Sequence, residues 1–291
     1  MVPRLGQGEM AELIRRVLSA LVLAPLVLAG VYVGGWVFLT LVGLAALISG
    51  REWERMVAPR VSAEFGASSA PVVTALSLTA MAVVVAAAVV AGTVAGLVAT
   101  LVCFVVVLSC AGLGLAPGVK VSIVTRFWVA FGVPYFAAFV LSVIWLRRQP
   151  DPGGMMLIYY LLAVVWATDS GAYAAGRLIG GPRLAPGISP SKTWAGLIGG
   201  MGCAFVVGWA LVAFTGGHRP ELAGGFGALL AVAAQAGDLF ESAIKRRHKL
   251  KDSGDLIPGH GGLLDRIDGL LTAAPILGVV QWAWGATYAW W

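Results

Sequence analysis

The segment Gln235–Leu271, QAGDLFESAIKRRHKLKDSGDLIPGHGGLLDRIDGLL, decides how the rest of the chain is read. It holds Asp238, Glu241, Asp252, Asp255, Asp265 and Asp268, six of the fourteen acidic residues in a chain of 291. Lys245, Arg246, Arg247, Lys249, Lys251 and Arg266 stand among them, with His248 and His260. Apolar runs lie on both sides. The pattern is that of a polar hairpin joining the ends of two apolar helices. Asp265 and Asp268 are three apart and share a helix face. Asp238 lies at the end of the preceding helix, so the hairpin can bring all three carboxylates together.

Converging carboxylates make a hard oxygen-donor site suited to Mg²⁺. The basic run Lys245–Lys251 beside them suits phosphate. Pro258–Gly262 reads PGHGG, a loop whose glycines let backbone approach a ligand closely. Metal, cations and a glycine loop together suggest phosphoryl or nucleotidyl transfer.

The surroundings are those of a membrane. Hydrophobic residues make up 59% of the chain and charged residues 12%, against about 25% charged in a soluble domain. Mean hydropathy is +0.89. The expected fold is an all-α integral membrane protein, a polytopic bundle of about nine transmembrane helices. The apolar runs fall near 17–33, 36–49, 71–91, 93–111, 128–146, 155–176, 194–215, 222–243 and 263–289, each near the ~20 residues that cross a bilayer, though 36–49 is short until extended into Arg51–Met56. Only Gly92 separates the third from the fourth, which requires a tight turn. Residues 1–111 are expected to form N-terminal membrane helices, 112–127 an interfacial connector, and 128–291 a C-terminal catalytic region. A basic start followed by an apolar run also occurs in signal peptides. The eight further runs favour a first span instead.

Charge sorts the loops. Seventeen of the twenty Lys and Arg residues fall at the N-terminus or after the second, fourth, sixth and eighth spans. Arg147, Arg148 and Arg219 fall on the other side. The positive-inside rule then puts the N-terminus and the Gln235–Leu271 hairpin in the cytoplasm and the C-terminus outside the plasma membrane. Trp282, Trp284, Tyr288, Trp290 and Trp291 are expected to anchor the outer interface. The net charge of +6 does not indicate nucleic acid, because the basic residues lie in short loops between spans. Cys103, Cys110 and Cys203 lie inside apolar runs without a Cys/His cluster, so buried free thiols are expected rather than zinc or disulfides.

Ser242–Asp268, SAIKRRHKLKDSGDLIPGHGGLLDRID, resembles the signature of the phosphatidate cytidylyltransferase (CDP-diacylglycerol synthase) family. Ser-x-x-Lys-Arg, Lys-Asp, Pro-Gly-His-Gly-Gly and Asp-Arg-x-Asp all occur in order. A second block, Thr168–Gly196, TDSGAYAAGRLIGGPRLAPGISPSKTWAG, is also similar. It departs at Ser191 and Ala195, where a basic and an acidic residue are expected. The first 110 residues resemble the family only as hydrophobic helices.

The resemblance implies transfer of a cytidylyl group from CTP to phosphatidic acid, giving CDP-diacylglycerol and pyrophosphate with Mg²⁺, two metal ions being expected. It implies Asp238, Asp265 and Asp268 as metal ligands, with Lys245 beside them in catalysis. Lys245, Arg246, Lys251, Asp252 and Arg266 then fall at signature positions for binding the triphosphate or shaping the loop, and His260 for contacting phosphate or loop. Asp169 and Tyr173, four apart on one helix face, are candidates for the substrate site. Ser189, Lys192 and Thr193 could open the seventh span as an anion loop. Each has a plainer reading: helix-terminal acids favoured by the macrodipole, positive-inside cations, or ordinary helix caps. Membrane lipid is a further partner, and a homodimer is left open.

Two other classes fit the sequence less well. A secondary transporter also buries acids, but here the charges cluster in one hairpin rather than at a midplane. A CDP-alcohol phosphotransferase needs a denser Asp-Gly…Asp…Asp pattern than this chain has.

Overall fold

The computed structural model describes residues 21–65, 70–113, 122–250, 252–254, 256 and 261–284. Helix is almost the whole of it, as apolar stretches in a bilayer require, because each backbone N–H must find its partner inside its own segment. The helices are α1 (Leu21–Val33), α2 (Gly35–Phe65), α3 (Ala70–Ala91), α4 (Thr93–Leu113), α5 (Ile123–Arg147), α6 (Gly153–Leu178), α7 (Trp194–Phe214), α8 (Pro220–Arg247) and α9 (Leu264–Ala283). Two short antiparallel strands, β1 (Arg183–Ala185) and β2 (Ser189–Thr193), form a hairpin between α6 and α7. Six helices among the described residues are long and apolar enough to cross a membrane. The chain is an all-α polytopic membrane protein.

Each apolar run of the sequence has its helix. The span expected at 36–49 extends through Arg51–Met56 as one continuous helix. Gly92 makes the tight turn between α3 and α4 at φ +91°, a conformation open to glycine. Residues 114–121 of the expected connector lie outside the described residues, and Ile123–Phe127 form the start of α5 instead. Ser122 caps that helix, its side chain accepting from Thr125 N at 3.2 Å.

The ends of α8 show why it starts and stops where it does. Pro220 opens it with Glu221 in the first turn, and Lys245, Arg246 and Arg247 fill the last. Proline needs no N–H there, and the charges complement the helix dipole. Leu250 N donates to Lys245 O at 2.8 Å and Lys249 N to Arg246 O at 3.1 Å, with Lys249 at φ +58°. This is a Schellman ending with lysine where glycine is usual.

The bundle has two distinct ends. At one, Arg147 Nε donates to Val31 O at 3.1 Å and Arg147 Nη1 pairs with Asp151 at 2.8 Å. Arg148 donates to Ala88 O and Val89 O at 3.1 and 2.6 Å. At the other lie the C-terminal ends of α6 and α8, the N-terminal ends of α7 and α9, and the β-hairpin.

Between them, Trp53 of α2 is fully buried against Trp128, Phe131, Tyr135 and Phe136 of α5 and Phe240 of α8. Its indole N–H donates to Trp128 O at 3.2 Å. This aromatic layer fixes α2 and α5 behind α8, two residues from Asp238. Cys103 is half-buried and Cys203 exposed, both free, which corrects the expectation of fully buried thiols; nothing is described for the Cys110 side chain. Trp282 and Trp284 are exposed near the end of α9, while Tyr288, Trp290 and Trp291 lie outside the described residues.

Candidate active site

A cavity of about 680 Å³ opens at the second end, between α6, β2, α8 and α9. Its size falls within the roughly 300–1,000 Å³ of small-molecule sites. Five carboxylates line it, Asp169, Asp238, Asp252, Asp265 and Asp268, with the cations Arg177, Lys192, Lys245 and Arg266. Oxygen donors and phosphate-binding groups thus share one space.

Close backbone packing brings the acids together. A methyl group on Gly237 would lie 2.6 Å from Asp268 O and would collide with Thr272 Oγ1. Only glycine therefore lets α8 approach α9 here, and the next residue is Asp238. Thr272 Oγ1 donates to Ala233 O at 2.8 Å and closes the same seam. On the other wall, Thr193 is the N-cap of α7, its hydroxyl accepting from Gly196 N at 3.0 Å. The adjacent Lys192 then reaches Asp238 Oδ2 at 2.6 Å.

Two ionic arrangements result. In the first, Lys245 Nζ lies 2.6 Å from Asp265 Oδ1 and 3.2 Å from the buried Glu241. Asp265 Oδ2 accepts from Ser253 N at 3.0 Å and Gly262 N at 2.9 Å, with the Ser253 hydroxyl also at 3.0 Å. Asp265 thereby organises the loop before α9. In the second, Asp169, Asp238 and Asp268 face the same cavity, and the Lys192–Asp238 pair sets a cation among them. Asp268 Oδ1 accepts from Gly269 N at 2.7 Å, and Ser242 Oγ donates to Asp238 Oδ1 at 3.3 Å.

The donor chemistry of Asp238 and Asp268 fits a hard divalent cation. Asp265, grouped with them in the sequence-based expectation, lines the same cavity but already has Lys245, Ser253 and Gly262 on its oxygens. Among the described residues, no group of three His, Cys, Asp or Glu is arranged as a ready metal cage.

The remaining candidates divide. Asp169 and Tyr173 do share a face on the cavity wall, and Tyr173 OH accepts from Arg177 Nη1 at 2.8 Å. Asp252 and Arg266 line the cavity. Ser191 lines it too, whereas Ser189 begins β2 away from the wall. Arg246 turns to the β-hairpin and donates to Ile188 O at 3.3 Å. Lys251 and His260 lie outside the described residues. Sequence reasoning assigned no role to Glu52, Glu241, Ser253 or Arg177. The signal for Glu52 was partial: it stands with Arg51, Glu54 and Arg55 within a largely apolar helix, where ionisable residues are costly.

The chain is similar to known proteins over much of its length. The chain is 45% identical over 184 residues to the phosphatidate cytidylyltransferase of Brucella suis, covering 60% of this chain and 65% of that protein. It is 42% identical over 169 residues to the protein of that name from Haemophilus influenzae, covering 52% of this chain and 58% of that protein. For the Staphylococcus aureus protein of that name the figures are 41% over 128 residues, 44% and 49%. The aligned part thus spans about half to two-thirds of each relative. The cytidylyltransferase family model matches far more of the chain, residues 14–284, taking in α1 to α9 and every residue of the cavity wall, and so the chain belongs to that family.

Proposed function

We propose that this chain is a phosphatidate cytidylyltransferase, joining CTP to phosphatidic acid to give CDP-diacylglycerol and pyrophosphate. The observation that carries the reading is the single cavity in which carboxylates and ammonium and guanidinium groups face one another at the end of a membrane bundle. The family match and the names of the relatives support it.

The reaction forms a bond from a lipid phosphate oxygen to the α-phosphorus of CTP. The bond from that phosphorus to the oxygen bridging to the β-phosphate breaks, and pyrophosphate leaves with that oxygen. A phosphate monoester is largely ionised near neutral pH, so the attack requires no strong base.

Lys192 of β2 and Arg266 of α9, both lining the cavity, would bind phosphate oxygens and balance negative charge as pyrophosphate departs. Lys245 adds charge, its ammonium held between Asp265 and Glu241 so that it stays in one position. The Arg177–Tyr173 pair on the cavity lining would meet the lipid headgroup. Mg²⁺ would be held by Asp238 and Asp268, with Asp265 adjoining, and would supply Lewis-acid stabilisation of the phosphates, a second ion being compatible with this set. The cavity lies at the cytoplasmic face of the plasma membrane in this reading, because the basic residues crowd that end of the bundle.

The test is pyrophosphate release by the purified full chain in detergent with CTP and Mg²⁺. Release that requires added phosphatidate is expected. A requirement for a lipid alcohol instead, or release with no lipid dependence, would overturn the substrate assignment.

A further inference from the structure

Glu52 belongs to α2, more than two hundred residues from Asp265 in sequence, yet it closes the loop that Asp265 organises. It is only 3% exposed. Helix α9 begins without a side-chain cap of its own. Glu52 provides one: Oε1 accepts from Leu263 N at 3.0 Å and Oε2 from Leu264 N at 2.7 Å. The Ser253 hydroxyl lies 3.2 Å from Glu52 Oε2 and 3.0 Å from Asp265 Oδ2. Its one proton can go to either carboxylate, so the two are joined through it. Ser253 is itself only 5% exposed.

The loop is shaped around this side chain. At Gly254, the three atoms nearest an added methyl would all belong to Glu52, the closest at 2.9 Å. At Gly262, a methyl would meet Glu52 Oε2 at 2.6 Å and would collide with Ser253 Oγ. Two loop glycines therefore leave the space that the Glu52 carboxylate fills. The neighbouring Trp53 anchors α2 against α5 and α8, so the carboxylate is delivered from a packed helix.

We infer that Glu52 is a positioning residue for the site, holding the start of α9 and, through Ser253, the Asp265 carboxylate on which Lys245 rests. The N-terminal membrane helices thus contribute to the geometry of the C-terminal site. This rests on the reading of the cavity as the place of reaction.

The test uses the full chain in detergent with Glu52→Gln, Ser253→Ala and the double variant. Glutamine keeps the length but turns an amide N–H toward backbone N–H donors. Each single variant should release pyrophosphate about tenfold or more slowly. The double variant should be no slower than the worse single one, because both act through one carboxylate. Amide hydrogen exchange should rise at Ser253 and Gly262–Arg266 and stay unchanged in α6 and α7. Wild-type turnover in both single variants would overturn the inference, as would losses that multiply together with faster exchange in every helix. If Glu52→Gln does not assemble, Ser253→Ala alone decides by the same two readouts. If the wild-type chain is inactive with CTP and phosphatidate, the reaction assignment fails by itself. The exchange comparison then decides Glu52: a local rise supports it, and no rise or a general one refutes it.

Discussion

The two ends of the bundle use charge in opposite ways. At one end, Arg147 and Arg148 spend their guanidinium groups on main-chain carbonyls where α1 and α3 finish. Those bonds satisfy helix termini, and the one ion pair described there, Arg147–Asp151, lies at the surface. At the other end, Lys192, Lys245, Asp238 and Asp265 pair across different elements around an open cavity. Carboxylates from three helices are gathered there, with α8 and α9 closely packed at Gly237. The difference separates charge that closes a structure from charge kept available for a ligand. An acid cluster is costly to gather, so its presence beside a cavity points to chemistry more strongly than the number of charged residues does.

The comparison can be broken by removing charge at each end. The largest effect is expected from Asp265→Asn. The amide N–H₂ would face Lys245 or the Ser253 and Gly262 donors, so two charge-assisted interactions weaken together. A fall of about a hundredfold in kcat/KM for CTP is expected. If Asp265 were only a helix-terminal acid, asparagine would serve nearly as well, and steady-state kinetics would show little change.

Lys245→Met should come next, with a loss of roughly ten- to a hundredfold in kcat/KM for CTP. It also leaves Glu241 and Asp265 without their shared cation, so the thermal midpoint should fall as well. Unchanged kinetics would return Lys245 to a topological role.

Arg148→Met, at the opposite end, should lower stability by about 1 kcal/mol while turnover per folded molecule stays near that of wild type. A large catalytic loss there would erase the distinction between the ends. The smallest effect is expected from Lys249→Gly. Glycine accepts the left-handed conformation at this helix ending without the usual penalty. The thermal midpoint in detergent should hold or rise slightly, with activity kept.

Much of this was legible in the sequence, and for a physical reason. A bilayer leaves the backbone few options, so apolar runs near twenty residues translate directly into helices. Gly92 and the hairpin from Gln235 to Leu271 stood out because their composition differs so sharply from their surroundings. The convergence of Asp238 and Asp268 followed from the same contrast. What could not be read was which carboxylate faces which cation. The partners Lys192–Asp238 and Lys245–Asp265 depend on how closely α8 meets α9, and that is set by Gly237, one glycine among thirty-nine. The partners of Glu52 were hidden for a related reason. They are backbone N–H groups of residues far away in the chain, and no local pattern announces such a bond. The β-hairpin before α7 was read as a loop because its strands are too short for an alternating pattern to show.

The most direct measurement is a Mg²⁺ titration of phosphatidate-dependent pyrophosphate release for wild type, Asp238→Asn and Asp268→Asn, each shown to be folded. Each substitution keeps the volume and removes one anionic oxygen from the cavity. Both variants should lose most of their activity, and what remains should need more Mg²⁺ for its midpoint, because fewer anionic ligands weaken the ion's hold. Wild-type rates and an unmoved Mg²⁺ midpoint in both would contradict the assignment of these carboxylates to the metal and to the reaction.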